Sequence, residues 1–352
     1  MRIKMSQKYT NKKFWNKKTV LITGINGFVG GNLAKHLLSY GAIVIGITNK
    51  LKKNKFLEFE NILSDIRFHN VDIRDLRKLS KIIDLYNIDI CFHLAAQVDV
   101  NQARANPYDT FETNIKGTYN LLELLRNHKS IKSIVIASSD KAYGEYKNKD
   151  LPYTEKHDLR PLYPYDVSKA SADLIAKSYS SELYNLPIII TRFANIYGPG
   201  QLNFTALIPD CILANLGYRK FLPRGNGNNK RDFLYVDDVC DLYICLAFNL
   251  FKNNKIIGQV YNAGTGDGYR VKDIIKHTCL LNNNLNLYKK IKEELKNKKL
   301  IGEIKHQFMT YKKIFNSFGW KPRHTLEEGL KKSLIWYSRF LKKYNFKYFI
   351  DK

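Results

Sequence analysis

Thr19-Val20-Leu21-Ile22-Thr23-Gly24-Ile25-Asn26-Gly27-Phe28-Val29-Gly30 decides how this chain folds. Its first five residues are apolar or β-branched and suit a strand covered on both faces. Glycines at 24, 27 and 30 then make a turn bare of side chains, and Leu33, Leu37 and Leu38 follow at helical spacing. Strand, glycine turn and helix in that order bring backbone N–H groups and the positive end of a helix up to a pyrophosphate. The candidate contacts are Gly24, Asn26, Gly27, Phe28, Val29 and Gly30. The unit predicts an α/β chain built on a Rossmann-type, doubly wound parallel sheet.

Working outward, a second strand is expected over residues 42–47, leading into Thr48-Asn49-Lys50. No acidic residue stands there for the ribose 2′-hydroxyl of NAD, and Lys50, Lys52 or Lys53 could meet a 2′-phosphate, so NADP stays open beside NAD. A further strand beginning at Ile90 ends in His93-Leu94-Ala95-Ala96-Gln97. His93 there reads as a packed, hydrogen-bonded histidine.

The chemistry concentrates in residues 134–169. An apolar strand, Ile134-Val135-Ile136-Ala137, breaks into Ser138-Ser139-Asp140-Lys141 where a parallel sheet opens its ligand crevice. Four polar residues in a row suit the floor of a site better than a strand core. Tyr165 and Lys169 follow, about one helical turn apart on one face. A lysine cation beside a phenol stabilises the phenolate, and lowering a tyrosine by roughly three pKa units takes about 4 kcal/mol. A central helix is expected over residues 168–184 and another strand over 187–191.

The glycine turn, the Ser138-Ser139 strand end and the Tyr165/Lys169 pair together resemble the extended short-chain dehydrogenase/reductases, over about residues 14–337. The Gly-x-x-Gly-x-x-Gly spacing is similar to theirs, and within them the nucleotide-sugar epimerases and dehydratases fit best. The resemblance implies a nicotinamide cofactor, NAD or NADP, touched also by Thr48, Asn49, Asp72, Ile73, Leu94, Ala95, Ala96, Tyr165 and Lys169. It implies that Asn114 holds the backbone near the site. It also implies that Asn195, Asn203, Arg219 and Arg231 hold the diphosphate and sugar, a guanidinium fork suiting two phosphate oxygens. Phe14-Trp15 and the pair Asp140-Lys141, in place of Asp-Glu, resemble CDP-glucose 4,6-dehydratases in particular. That likeness implies the roles: Tyr165, with Ser139 and Lys169, takes the C4 hydroxyl proton, Lys141 the C5 proton, and Asp140 protonates the departing C6 hydroxyl. A C4 epimerase or C4 dehydrogenase/reductase stands as the alternative, and a binding protein that uses the fold as a scaffold is the third reading. Family dimers further imply an interface built from helices near residues 107–127 and 168–184, hence a homodimer or dimer of dimers.

The 352 residues, 44% of them hydrophobic, are enough for one large α/β domain with a smaller lobe. The expected division is a basic arm at 1–18, a dinucleotide-binding domain at 19–192 and a C-terminal substrate-binding lobe at 193–352, some of whose segments return to the first domain. Residues 280–299, rich in asparagine and lysine, depart from the resemblance. The net charge of +26 would suit nucleic acid, but its lysines are scattered among asparagines and isoleucines and form no stripe, so no nucleic-acid partner is expected. It does suit an anionic nucleotide-sugar substrate. The five cysteines are odd in number, widely spaced and set in apolar runs, which suits small core residues in a reducing cytoplasm and no metal site. No apolar run is long enough for membrane insertion.

Overall fold

The computed structural model describes residues 12–49, 54–296, 298 and 304–344. In chain order the strands are β1 (Thr19–Thr23), β2 (Ile43–Thr48), β3 (Arg67–Asn70), β4 (Ile90–His93), β5 (Ser133–Ala137), β6 (Ile188–Phe193), β7 (Asn195–Tyr197), β8 (Lys230–Arg231), β9 (Phe233–Tyr235), β10 (Val260–Ala263), β11 (Tyr269–Arg270) and β12 (His306–Gln307). Seven of them form one parallel sheet in the order β10-β6-β5-β4-β1-β2-β3. The chain reverses its direction of travel across the sheet between β1 and β4. That is the switch point where an open α/β sheet binds ligands, beyond the carboxyl ends of its strands.

The near-continuous apolar runs of the central strands have a direct cause in packing. Val20, Ile22, Val44, Ile90, Phe92 and Val135 face one buried layer, while Leu21, Ile45, Cys91, Ile134 and Ile136 face the other. Alternate residues point to opposite faces and both faces are covered, so neither set can be polar. Two smaller sheets, β11-β8-β12 and β7-β9, come from the second half of the chain. The same half sends β10 back to the edge of the main sheet beside β6.

Element ends differ from expectation where local chemistry outweighs periodicity. The strand expected at 42–47 is displaced to Ile43–Thr48, because Thr48 pairs with Asn70 of β3, and the one expected at 187–191 runs on to Phe193 as the neighbour of β10. The helix expected at 168–184 is Pro164–Tyr179. Pro164 has no amide to leave unpaired and its fixed φ suits a first turn, while Ser180 closes the other end with its N–H on the Ala176 carbonyl. Tyr165 is therefore anchored in the first turn of the helix that also carries Lys169. Within 280–299, Leu285–Lys296 is a helix whose Ile291 and Leu295 are buried with Cys211, Phe221, Ile275 and Cys279. The C-terminal helix Leu326–Lys343 starts from a capping box of Thr325 and Glu328. All five cysteines are buried and free. Among the described residues no helix is long and apolar enough to cross a membrane, and no cluster of side chains could hold a metal ion.

Candidate active site

A cavity of about 1100 Å³ opens along the carboxyl ends of the strands. One wall is the glycine turn. Gly24 has φ of +74°, and a side chain there would meet Ala95 Cα at 2.8 Å, so the exits of β1 and β4 lie against each other. Gly27 caps the helix Phe28–Ser39 with no side-chain bond. The first amides of that helix are thus left to an anion, as a pyrophosphate site requires. Every residue named above as a cofactor contact lines this cavity, from Gly24 to Lys169. Lys50, Lys52 and Lys53, on which a 2′-phosphate would depend, lie outside the described residues. Asp72 is held below its ordinary value, first by its side-chain bond from Arg74 at 2.6 Å. Arg74, which also pairs with Asp109 at 2.6 Å, lines the cavity and was not singled out from sequence.

The floor is tied together by buried polar side chains. His93 bonds Thr23 at 2.8 Å through Nδ1 and Thr118 at 3.0 Å through Nε2. Burial drives its pKa down to about 3, with the Lys169 charge adding to the effect, so it is a neutral structural link. Asn114 lies in a π-helical turn, a bulge frequent at functional sites. It accepts from Gln97 N at 2.7 Å and donates to Ser168 Oγ at 2.8 Å, and Ser168 donates to the Tyr165 carbonyl at 2.7 Å. The exit of β4 is thereby fastened to the Tyr165 helix.

Ser139, Asp140, Lys141, Tyr165 and Lys169 all meet at this floor. Ser139, two residues beyond the end of β5, caps the short turn Asp140–Tyr143, accepting from Lys141 N at 3.2 Å and donating to Asp140 Oδ1 at 3.1 Å. Its hydroxyl also lies near enough to the Tyr165 phenol to favour the phenolate. Burial raises the Asp140 carboxyl against the opposing pull of Lys141, Ser139 and Arg231. Its Oδ2 is buried with no partner among the described residues. The Tyr165 phenol corrects an expectation, since burial raises its pKa and the Ser139 hydroxyl only partly opposes this. Lys169, whose ammonium is bonded to the Ala137 carbonyl, is not among the groups that lower it. Burial brings Lys169 itself down to about 8, against the pull of Asp173.

The far wall comes from the second half of the chain. Asn195 and Arg231 line it, as does Asn203, whose Oδ1 caps Thr205 N at 3.1 Å. Arg219 does not line the cavity. Its guanidinium is bound to Asp210 at 2.6 Å and to the Phe204 carbonyl, so burial of Asp210 has claimed it as a counter-ion. Arg224, in the loop Pro223-Arg224-Gly225, does line the cavity. The proline and glycine around it were the available signal. Gln307, which reaches Lys141 from β12, had no signal at all, because nothing local connects it to residue 141.

A parallel sheet that opens on a glycine turn, with a Ser, a Tyr and a Lys gathered at its switch point, defines the extended short-chain dehydrogenase/reductase class. Residues 21–333 match the family model described as GDP-mannose 4,6 dehydratase, and the chain belongs to that family. A trifunctional enzyme of Arabidopsis thaliana, UDP-glucose 4,6-dehydratase, 3,5-epimerase and reductase in one chain, is 31% identical over 92% of this chain. The match covers 48% of that enzyme, so the chain spans about half its length. The dTDP-glucose 4,6-dehydratase of Bacillus anthracis, solved in complex with NAD, is 28% identical with a TM-score of 0.78, covering 92% of this chain and 98% of the other. The UDP-glucose 4-epimerase of Thermotoga maritima, solved with UDP-glucose, is 27% identical with a TM-score of 0.74, covering 92% and 99%.

Proposed function

We propose that the protein is an NAD-dependent nucleotide-sugar 4,6-dehydratase that converts an NDP-hexose to the NDP-4-keto-6-deoxy sugar. The observation that carries the reading is Asp140 beside Lys141. A buried carboxyl raised by burial, with one oxygen unpartnered, is suited to carry a proton and donate it. Oxidation at C4 alone does not call for such an acid, or for a second base beside it. The Asp-Lys pair also favours a CDP-glucose-like substrate, and Asn195, Asn203 and Arg231 are the proposed contacts to its diphosphate and sugar.

Bound NAD supplies oxidation at C4 and the returning reduction at C6. Tyr165 takes the C4 hydroxyl proton, with Ser139 beside its phenol. That role needs the phenol lowered in the complex, and the positive charge of an oxidised nicotinamide would supply that lowering. The 4-ketone then acidifies C5, Lys141 takes the C5 proton, and Asp140 protonates the C6 hydroxyl as it leaves as water; when the hydride returns to C6, Lys141 gives a proton back to C5.

Mass spectrometry after incubation with CDP-, dTDP-, UDP- and GDP-hexoses tests the reading, with loss of one water and one solvent deuterium at C5 as the expected result. An epimer without net ketone, or turnover that consumes added NADH or NADPH, would replace it with the alternatives. Lys141→Met should leave C4 oxidation intact and accumulate reduced nicotinamide, visible in the near ultraviolet. We further propose a homodimer through the helices Gly117–Arg126 and Pro164–Tyr179, on which Tyr119 and Leu174 are 40% and 57% exposed. Sedimentation at micromolar concentration should show a dimer.

A further inference from the structure

Gln307 reaches the floor of the site from the second half of the chain. Its side chain is 1% exposed, and its Oε1 accepts from Lys141 Nζ at 3.5 Å. The amide oxygen faces Nζ, which can donate to it in either protonation state. So oriented, Nε2 is buried with no partner among the described residues. The backbone holds the group on both sides. Gln307 pairs in register with Arg231, its carbonyl accepts from Asp232 N at 3.0 Å, and the next carbonyl, of Phe308, accepts from Tyr153 N at 3.0 Å. A side chain on so constrained a strand can place its partner well.

We propose that Gln307 is the positioning residue of Lys141, holding it at the sugar through a neutral acceptor so that its amine is free to take the C5 proton. This rests on the dehydratase reading above. The neutrality is the functional point. An amide and a carboxylate of the same length both accept from Lys141, but a carboxylate within about 4–6 Å favours the charged form of its neighbour by roughly 1–3 pKa units. A base has to begin without its proton. The charged and titratable groups around this corner are Asp140 and Glu145 on the loop of Lys141, Tyr153 and Tyr165 near Asp140, Lys230 and Arg231 on β8, Lys305 next to β12 and His306 within it. Among these charges an amide at position 307 adds nothing that would retain a proton on Lys141.

Gln307→Glu and Gln307→Met test this together. Both should still oxidise C4, seen as reduced nicotinamide, which reports a folded site. In Gln307→Glu the pH at which C5 exchange in deuterated solvent reaches half its maximum should move up by about one unit or more. In Gln307→Met that pH should stay at the wild-type value while kcat for dehydration falls about tenfold to a hundredfold and KM changes less than threefold. An unmoved profile in Gln307→Glu, or full dehydration by Gln307→Met, overturns the inference. Should the methionine variant lose C4 oxidation through misfolding, the glutamate profile decides alone. Failure of the dehydratase reading looks different, because wild-type protein would then incorporate no deuterium at C5.

Discussion

The near wall of the cavity takes its glycines 24, 27 and 30 from one short stretch, whereas the far side takes Asn195, Asn203, Arg224 and Arg231 from positions scattered through the second half of the chain. The near wall is shaped by the main chain, by the positive φ of Gly24 and by the contact of Gly27 N with the Gly24 carbonyl at 2.8 Å. The far side is shaped by side chains that already serve one another, as Arg219 serves Asp210. Substitutions should therefore act abruptly on the first and gradually on the second.

The strongest break is expected at Gly27→Val. Its Cβ would stand 3.0 Å from the Gly24 carbonyl, and the branches beyond it would enter the space left to the pyrophosphate. The variant should fold, by circular dichroism, yet purify without nicotinamide cofactor. A full complement of bound cofactor would show that this wall is not the dinucleotide site.

Tyr165→Phe comes next. Turnover should fall by on the order of 10³, with substrate affinity, measured by calorimetry, kept within about threefold. Normal turnover would transfer the C4 proton to another group.

On the far side, two arginines should part. Arg231→Ala should raise KM about tenfold, the worth of roughly one charge-assisted hydrogen bond. Arg219→Ala should leave KM within about twofold but lower stability by about 1–3 kcal/mol in urea titrations, since it strands the buried Asp210. The reverse pattern would mean that Arg219 turns to the substrate on binding.

The smallest effect expected is one of pH slope. Lys169 is lowered to about 8 from 10.5 in the folded protein, so between those values the unfolded chain binds more protons. The cost of burying its charge is then fully present below about pH 8 and fades as pH rises toward 10.5, a gain of about 1 kcal/mol per pH unit. Lys169→Met should remove that part of the slope from urea midpoints measured between pH 7.5 and 10.

How much of the site could be read in advance follows the same division. The glycine turn, the strand end at Ser139 and the one-turn spacing of Tyr165 and Lys169 are short-range patterns, and each lines the cavity. The pKa direction of Tyr165 went the other way. Its neighbours were visible, but its burial and the bonding of Lys169 to the Ala137 carbonyl were not. Arg219 and Arg224 are both arginines near turns in one stretch, and only the place of Asp210 tells which of them is free to face the cavity.

By itself the sequence determined the parallel sheet, its glycine turn and the spacing of the Tyr-Lys pair, because buried β runs, bare glycine backbone and helical period are properties of neighbours in the chain. Only the tertiary structure decided that Asp140 is a carboxyl raised by burial, that Arg219 is a counter-ion, and that Gln307 meets Lys141 across 166 residues. Burial, charge and hydrogen-bond partnership at those positions are set by groups from distant segments, and no local pattern records which of them will arrive.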